Sequence, residues 1–600
     1  MRAIALLCVI TPFACAHQSG GDGQVMTLTI NPPSSMLVLQ DGSSASEAFT
    51  ATAMYGDGTS KDVTTDVAFT MDQALGNFAG AELTMVSAGQ GTVVGSLMAG
   101  VDGAGSSGIS GSAVVIAQLQ GTRVDGSLPP NTPDMFGSGA TEDPSRAPTV
   151  VYPSPGVIMP RNIGDFEVHW TDASSNNVWE VSLQSPYVDL KVYVPGGNGT
   201  GGGPDPSWTA FLPTEWLAAV GNSESLTYQV RGTDLTMPGT VGSAPPQSVD
   251  LSNEAMMGGI YYWTTGGSAS PEGIYRHDMS SPQTPALPFA TIDQFATPPT
   301  LTGPGRCIAC HVLSRDGTKM AITWDTGGGA SDMVDVGSRA FQDGDPTMAG
   351  YTPANSWNFG TFTPDATQFL SVEGGDLVIR DQATQTVLGT MTSAGWVTHP
   401  DLSPDGTMLV YSRPTVTNCD WAFGGGQIYI RTFDQATMTF GPETLLVADA
   451  NNNYYPSFSP DGQWVMFNKS TDNSTLGAYN NPSATIWVVP AVMAATPPTA
   501  IELAALDTAT AGLTNSWARW APFAQTLGST NRPMFWVTIS SKRDFGTRLV
   551  GLARPQLWMT PFLPDEAAMG SDPSAPGFWL PFQNLDSSNH IAQWTQAIIQ

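Results

Sequence analysis

Charged residues are scarce in this chain of 600 residues, and basic residues are the scarcest. Only 12% of the residues are charged, and 22 Lys and Arg stand against 52 Asp and Glu, a net charge of −30. This charge argues against nucleic acid as a partner, because phosphate binding depends on clusters of basic side chains that release counterions. It also opposes adsorption to an anionic membrane through protein charge alone. We therefore expect a protein partner, and the acidic charge favours a basic one.

Long apolar segments are missing as well, since no stretch reaches the roughly 18 apolar residues that a membrane-spanning helix needs. One short apolar run, residues 3–14, follows Met1-Arg2 and leads into Ala14-Cys15-Ala16. This order is typical of an export signal, which we predict for residues 1–16.

Two cleavage sites follow from this pattern. Cleavage before Cys15 would resemble processing of a bacterial lipoprotein with an acylated Cys15, and cleavage after Ala16 would release a secreted protein. We favour the first: an outer-membrane lipoprotein of the cell envelope, periplasmic or surface-exposed. Its membrane contact would then be only through the N-terminal lipid anchor.

Cysteine is too rare for a disulfide framework, with five residues in an exported chain. Cys8 leaves with the export signal and Cys15 is the lipidation candidate. The remaining three, Cys307, Cys310 and Cys419, are an odd number. Their presence therefore needs another explanation.

The N-terminal part of the chain predicts two small β-sandwiches. Over residues 26–117, apolar and polar residues alternate in short runs between Gly and Asp. The stretch YGDGTSKDVT at 55–64 resembles the hairpin of bacterial Ig-like domains, which implies a spacer or stalk. Residues 118–148 are rich in Pro, Gly and small polar residues and predict a linker. Residues 149–250 predict an Ig- or fibronectin-like sandwich, in which His169 is expected to be half-exposed.

An internal repeat fills the remainder of the chain. In each copy an apolar strand ends at a turn of the Ser-Pro-Asp-Gly type, where Pro fixes φ, Asp bonds back to the backbone and Gly supplies a positive φ. A second apolar strand then returns. The copies align on Ser314, Thr363, Ser403, Ser459 and Ala521. Their spacing of about 40 to 62 residues is that of propeller blades.

These repeats resemble the WD-like repeats of TolB-type β-propellers, and the likeness implies a propeller over residues 255–600. GIYYWTTGG and GIYRHDM, near 259–279, predict the middle strands of a first blade that lacks its innermost strand. We predict that the C-terminal NHIAQWTQAI supplies this strand and closes six blades into a ring without free edges. The predicted fold is all-β: two Ig-like β-sandwiches followed by a six-bladed β-propeller.

One copy of the repeat departs from the others and contains residues that could bind a cofactor. The sequence Cys307-Ile308-Ala309-Cys310-His311 is the CxxCH attachment signature of c-type haem, in which two thioethers hold the porphyrin and the imidazole binds iron. In register, Cys310 occupies the position of Phe359, His399, Tyr455 and Trp517 in the other copies. We therefore predict a ring of these side chains at one mouth of the central channel. His399 is the predicted sixth iron ligand, and His590 is the alternative.

Two classes of function fit this pattern. With haem c, the chain would transfer electrons or sense redox state with a protein redox partner. Without it, Cys307 and Cys310 would form a disulfide in a non-enzymatic TolB-like binding or assembly module. That module would recognise an envelope protein, a peptide or a glycan through Phe359, Tyr455 and Trp517. A metal site completed by histidine and a haem peroxidase are weaker alternatives.

Motifs of known enzymes are absent from the sequence: it has no GxSxG elbow, HExxH, P-loop or EF-hand loop. We expect an electron-transfer or binding protein and not a hydrolase. The turn aspartates could suggest a carboxylate ring, but their position predicts turn formers. These are Asp316, Asp365, Asp405 and Asp461. Cys419 and His277 are predicted to lie at the surface.

Overall fold

The computed structural model of the chain describes residues 24–598 with several gaps. The gaps are 74, 99–107, 196–204, 222, 268–269, 282–283, 295–307, 325–329, 349–350, 392, 472–477 and 509–511. Cys15 and Cys307 lie outside the described residues, and so does the side chain of Cys419. The helices of the described part are short, and none of them is long and apolar enough to cross a membrane.

The predicted all-β fold of two sandwiches and a propeller is confirmed. The chain divides into two compact units, the first comprising residues up to Gly121 together with 186–188. The described strands of the first unit are Val25–Asn31, Ser34–Gln40, Ala45–Ala48, Thr50–Tyr55, Ser60–Asp62, Val67–Thr70, Gly76–Ala79, Glu82–Met85, Gly89–Leu97 and the first part of Ser110–Val124. The predicted hairpin is present, because Thr50–Tyr55 pairs antiparallel with Ser60–Asp62.

The second unit begins with the second sandwich. Its strands are Thr141–Glu142, Thr149–Tyr152, Val157–Met159, Phe166–Asp172, Val178–Ser185, Val188–Pro195, Asp205–Phe211, Ser225–Thr233, Thr240–Ser243 and Gln247–Leu251. Helix Pro213–Val220 packs its Trp216 ring on Phe166, with ring centroids 4.7 Å apart.

The predicted linker at 118–148 is wrong. Strand Ser110–Val124 runs into it, and the short helices Thr132–Phe136 and Pro144–Arg146 follow. Leu128 and Phe136 are buried in one hydrophobic cluster with core residues of the second sandwich. The abundant Pro and Gly indicated turns correctly, but a few well-placed apolar side chains suffice to fold a turn-rich segment onto a core.

His169 is fully buried and not half-exposed, because its strand is covered on both faces. Its Nε2 lies 2.7 Å from a carboxylate oxygen of Glu167, and its Nδ1 accepts the backbone N–H of Thr547 at 3.0 Å. Arg548 in turn donates to Glu167 at 2.5 Å. Thr547 and Arg548 belong to the propeller, so this network docks the second sandwich onto it.

The propeller consists of six blades in the described residues: blade 4 has five strands and each of the other five blades has four. The strands are given from the innermost outward. Blade 1 consists of Asn589–Thr595, Gly259–Thr264, Gly273–Asp278 and Leu287–Thr291, and blade 2 consists of Ile308–Leu313, Lys319–Trp324, Ser331–Asp335 and Ala340–Phe341. Blade 3 consists of Gly360–Phe362, Gln368–Glu373, Asp376–Asp381 and Val387–Met391. Blade 4 consists of Thr398–Leu402, Met408–Arg413 and Gln427–Asp434, with Thr439–Phe440 and Thr444–Val447 both pairing with Gln427–Asp434 on its outer side. Blade 5 consists of Asn452–Phe458, Trp464–Ser470, Thr485–Pro490 and Ile501–Glu502. Blade 6 consists of Ser516–Leu527, Arg532–Ser541, Gln556–Phe562 and Phe578–Trp579.

The C-terminal segment closes the ring, as predicted. Asn589–Thr595 pairs antiparallel with Gly259–Thr264, so the innermost strand of blade 1 comes from the far end of the chain. Each innermost strand contacts the innermost strands of both neighbouring blades. The hydrogen bonds that join these ends link residues more than 300 positions apart in sequence.

The repeat aspartates form turns, as predicted. In blade 4, Asp405 accepts the hydroxyl of Ser403 and both the backbone N–H and hydroxyl of Thr407. Asp316 and Asp365 show the same pattern, and Asp461 accepts the hydroxyl of Ser459 and the backbone N–H of Gln463. These hydrogen bonds stabilise the ionised carboxylate, and they lower the pKa of Asp405. These four aspartates therefore stabilise turns between blade strands.

His277 is buried, which contradicts its predicted surface position. Only 2% of the residue is exposed, and its ring stacks on Phe582 with centroids 4.0 Å apart. Neither ring nitrogen has a hydrogen-bond partner in the described part of the chain. Burial lowers the pKa of His277 to about 4, which keeps the imidazole neutral at physiological pH.

Replacing His277 by phenylalanine is expected to reduce the acid sensitivity of the protein. A buried neutral histidine contributes stability that is lost as pH falls below about 6.5, its pKa in the unfolded chain. At pH 5 this loss is about 2 kcal/mol for a folded pKa near 4. Urea unfolding of both proteins should therefore give free energies that diverge by about this amount between pH 8 and pH 5. A difference that is independent of pH would show that His277 is not buried as a neutral group.

Candidate functional site: the central channel of the propeller

The innermost strands of four blades carry a β-bulge that adds a residue facing the channel axis. These residues are His399, Tyr455, Trp517 and Ile591, with φ of +51°, +52°, +53° and +57°. The strand register shifts at each of them. A left-handed backbone costs a residue other than glycine about 1–3 kcal/mol, so the packing around it must offset that cost.

Aromatic side chains from these bulges and from blade 3 fill the channel at one level. We call Phe359, His399, Tyr455 and Trp517 the aromatic plug. Ring centroids are 4.3 Å apart for Phe359 and His399, 4.2 Å for His399 and Tyr455, and 4.2 Å for Tyr455 and Trp517. Phe359 also lies 6.1 Å from Trp517 across the channel. All four side chains are buried, so the plug closes the channel at this level.

A polar chamber lies next to the plug along the same axis. Two residues beyond each plug position, the strands again direct a side chain to the channel, because alternate residues of a strand share a face. The chamber is lined by Arg315, Thr361, Asp401, Ser457, Arg519 and Gln593, and its volume is about 120 Å³. The turn prolines Pro460 and Pro522 line the end away from the plug.

Two arginines give the chamber an excess of positive charge. The Arg519 guanidinium lies over the ring of Trp517, 5.3 Å from its centroid, and its Nη1 donates to the carbonyl of Ala518 at 3.1 Å. Burial lowers the pKa of Arg519, and the nearby Asp401 opposes this effect. Arg315 donates only a long bond, 3.5 Å, to the carbonyl of Leu402. Within the described part of the chain, neither arginine forms an ion pair.

Asp401 is the acidic member of the chamber. Its carboxylate accepts the backbone N–H of Phe458 at 2.8 Å and the hydroxyl of Thr361 at 3.4 Å. Burial raises the pKa of Asp401, and both arginines and these hydrogen bonds oppose the rise. The hydroxyl of Ser457, a residue that is 5% exposed, has no hydrogen-bond partner among the described residues. The chamber thus holds donors that no described residue satisfies.

Comparison with known proteins gives a likeness of fold. No family model matches the chain, and no curated protein matches it. The chain is similar to the crystal structure of TolB from Acinetobacter baumannii, with 14% identity and a TM-score of 0.36 over 62% of this chain and 80% of that one. A putative TolB from Agrobacterium tumefaciens gives 17% identity and a TM-score of 0.27 over 48% and 90% of the two chains. The propeller domain of Myceliophteria thermophila Cps50 (Swd1) gives 11% and 0.25 over 47% and 88%.

The protein contains a β-propeller. The strand pairing and the ring closure of the six blades show this fold. Similarities this low carry no information about function.

The propeller brings the predicted ring residues together but does not expose them. Phe359, Tyr455 and Trp517 were expected to form an open contact surface, and instead their exposed fractions are 6%, 1% and 4%. The bulges explain the difference for Tyr455 and Trp517, because they turn these two rings across the channel, where Phe359 packs against both of them. The predicted binding face therefore does not exist in this conformation.

The described half of the CxxCH motif does not fit a covalently attached haem in this geometry. Cys310 is a free thiol packed against the cluster that contains the plug, and burial raises its pKa to about 12. His311 is buried, and its Nε2 lies 3.3 Å from the backbone carbonyl of Tyr261. A porphyrin would need open space beside both side chains. In the described part of the chain, no group of three or more His, Cys, Asp or Glu residues could hold a metal ion.

The two histidines predicted as iron ligands are both buried. His399 is part of the plug, where its Nδ1 accepts the backbone N–H of Tyr455 at 3.4 Å. Burial and the nearby Arg519 keep its pKa well below the usual value. His590 lies on the innermost strand of blade 1 with its ring 6.1 Å from Trp263, and burial lowers its pKa to about 3. Both imidazoles are neutral and enclosed by the propeller.

Sequence reasoning missed the chamber residues, although the repeat contains a signal for them. Arg315 stands where the other copies have proline, namely Pro364, Pro404, Pro460 and Pro522. Asp401 and Arg519 are the charged residues at a register position that other blades fill with Val, Thr, Ser and Gln. The repeats contain few charged residues, so a charged side chain that faces the channel axis indicates a role other than structural packing.

Proposed function

We propose that this chain is a non-enzymatic binding module of the cell envelope whose propeller captures a partner protein at the polar chamber. The observation that supports this proposal is the pair of arginines on the channel axis without an ion pair among the described residues. The aromatic plug separates the chamber from the other end of the channel. A partner would therefore reach it through the end lined by Pro460 and Pro522.

Half-buried charge supports a binding role over a purely structural one. Arg315 and Arg519 are each half-buried and share one neighbouring acid, Asp401, whereas apolar or neutral side chains would fill this space without the cost of partly desolvating two guanidinium groups. A ligand that supplies acceptors to these donors would offset the cost on binding. Concave sites with a few convergent polar groups are the usual binding sites of folded domains.

The partner can be sought with a photo-crosslinking residue at the chamber entrance. A benzoylphenylalanine at Pro460 should give discrete adducts in cells that express the full chain, and mass spectrometry would identify them. Thr384, in the exposed turn before the outermost strand of blade 3, is the matched control position and should give none. The proposal fails if Pro460 gives no adduct, or if both positions give the same adducts.

Export and lipidation are proposed from the sequence alone, because residues 1–23 lie outside the described part. The intact mass of the mature protein tests both. A mass that begins at Cys15 with an added diacylglycerol and acyl chain supports the anchored form, and a mass that begins at His17 supports the secreted form.

The haem at Cys307, Cys310 and His311 stays a prediction from the sequence. Its attachment would require the first strand of blade 2 to leave its present packing. Pyridine haemochrome analysis of protein made with cytochrome c maturation factors decides the matter. One covalent haem per chain would make electron transfer the better function, and the absence of a Soret band would favour the binding module.

A further inference from the structure

We propose that the polar chamber receives a carboxylate group, presented by an extended segment of the partner. This inference rests on the proposed binding function and adds the chemical class of the ligand. The residues that would contact the carboxylate are Arg315, Arg519 and Ser457, with Asp401 limiting the charge that the chamber accepts.

The charge of the chamber selects a monoanion. Arg315 and Arg519 contribute two positive charges, and Asp401 contributes one negative charge in its ionised form, which both arginines and its hydrogen bonds favour. One carboxylate therefore brings the total to zero, whereas a phosphate dianion would leave the chamber negative. A guanidinium also matches a carboxylate in shape, because its planar fork can donate two parallel hydrogen bonds.

Available donors support the same ligand. Arg519 uses Nη1 on a backbone carbonyl, and its other N–H groups have no acceptor among the described residues. Ser457 adds a hydroxyl that is buried at the chamber wall without a partner among the described residues. Asp401 is held in place by Phe458 and Thr361, so its carboxyl group has a fixed position beside the arginines. A carboxylate would satisfy donors that find no acceptor in the described part of the chain.

Size limits what can present the carboxylate. A volume of about 120 Å³ holds several waters or the end of one side chain, but no folded element. The ligand must therefore enter as a side chain or a chain terminus. Both an internal Glu or Asp and a free C-terminal carboxylate have the required chemistry, and the experiment below distinguishes them.

The test titrates the full chain with defined short peptides by calorimetry or NMR. Acetyl-Ala-Glu-Ala-amide carries an internal carboxylate, acetyl-Ala-Ala-Ala carries a terminal one, and acetyl-Ala-Gln-Ala-amide carries none. At least one carboxylate peptide should bind about ten-fold or more tightly than the glutamine peptide. The peptide that binds identifies the source of the group. Equal binding of the glutamine peptide, or no binding of any carboxylate peptide, would overturn the inference.

Variants connect the binding to the chamber. Arg519→Gln and Arg315→Gln should each weaken carboxylate binding by about ten-fold or more. Arg380→Gln is the matched control, because Arg380 is paired with Glu373 on blade 3, and should bind as the wild type does. An equal loss in the control variant would assign the peptide effect to general charge and overturn the inference.

Asp401→Asn gives a second measurement that does not depend on the folding of the arginine variants. Removing its charge leaves two positive charges for the ligand, so inorganic phosphate should gain about ten-fold in affinity relative to the carboxylate peptide. An unchanged ratio would contradict the role of Asp401. If the peptides fail to bind while Pro460 still gives crosslinked adducts, the carboxylate inference is wrong and the binding function stands.

Discussion

Replacing Trp517 by alanine is expected to destabilise the protein by about 3 kcal/mol, one of the largest effects of any single substitution in the channel. Trp517 is 4% exposed and stacks on Tyr455, so its removal leaves a cavity at the centre of the plug. Loss of a buried tryptophan costs about 3–5 kcal/mol, and the indole N–H of Trp517, which has no hydrogen-bond partner among the described residues, places the expected value at the low end.

Urea unfolding measures this effect. Trp421→Ala is the matched control, because that tryptophan is 39% exposed and its loss should cost less than about 1 kcal/mol. Equal effects of the two substitutions would show that the plug does not stabilise the ring. Trp517→Ala should also weaken carboxylate binding, since Arg519 would lose the ring on which its guanidinium lies.

Gly546→Ala is expected to separate the second sandwich from the propeller and to cost about 4 kcal/mol. Gly546 has a φ of +50°, and a Cβ there would lie 1.9 Å from Nδ1 of His169. His169 cannot move away easily, because Glu167 and Thr547 hold both of its ring nitrogens. The substitution therefore combines an unfavourable backbone conformation with a steric overlap inside a buried hydrogen-bond network.

A glycine five residues later separates these two causes. Gly551 has a φ of +65°, but nothing lies within 4 Å of an added Cβ. Gly551→Ala should therefore cost only the backbone term, about 1 kcal/mol. We expect Gly546→Ala alone to lower the unfolding midpoint strongly and to speed proteolysis between Leu251 and Gly258. If both variants behave alike, the docking network does not hold the two parts together.

The propeller could be predicted because its blades repeat one local pattern, a polar turn between two apolar strands. A turn of the Ser-Pro-Asp-Gly type works through hydrogen bonds within five residues, so Asp405 and its equivalents reveal their role in sequence. The strand that closes blade 1 was also predictable, because the first blade lacked an innermost strand and Asn589–Thr595 had the right character. The repeated turn pattern and the lack of an innermost strand in the first blade together predicted the topology.

The interior of the channel could not be predicted in the same way. The bulges at Tyr455 and Trp517 require a left-handed backbone that their residue types do not favour, so no local propensity indicates them. The burial of His169 depends on a contact with Thr547, a residue almost 400 positions away. Similarly, the CxxCH pattern drew attention to His311, whereas the charged residues of the chamber that have no ion pair in the described part of the chain are Arg315 and Arg519.

The distant origin of the innermost strand of blade 1 constrains how this protein is made. A chain that leaves the ribosome from its N-terminus cannot pair Gly259–Thr264 on its inner side until residue 595 has emerged. Blade 1 must wait through the synthesis of five other blades with one edge open to non-native pairing. A chain stopped shortly before Asn589 would leave that edge exposed, so premature termination there should yield aggregates and not a shortened functional propeller.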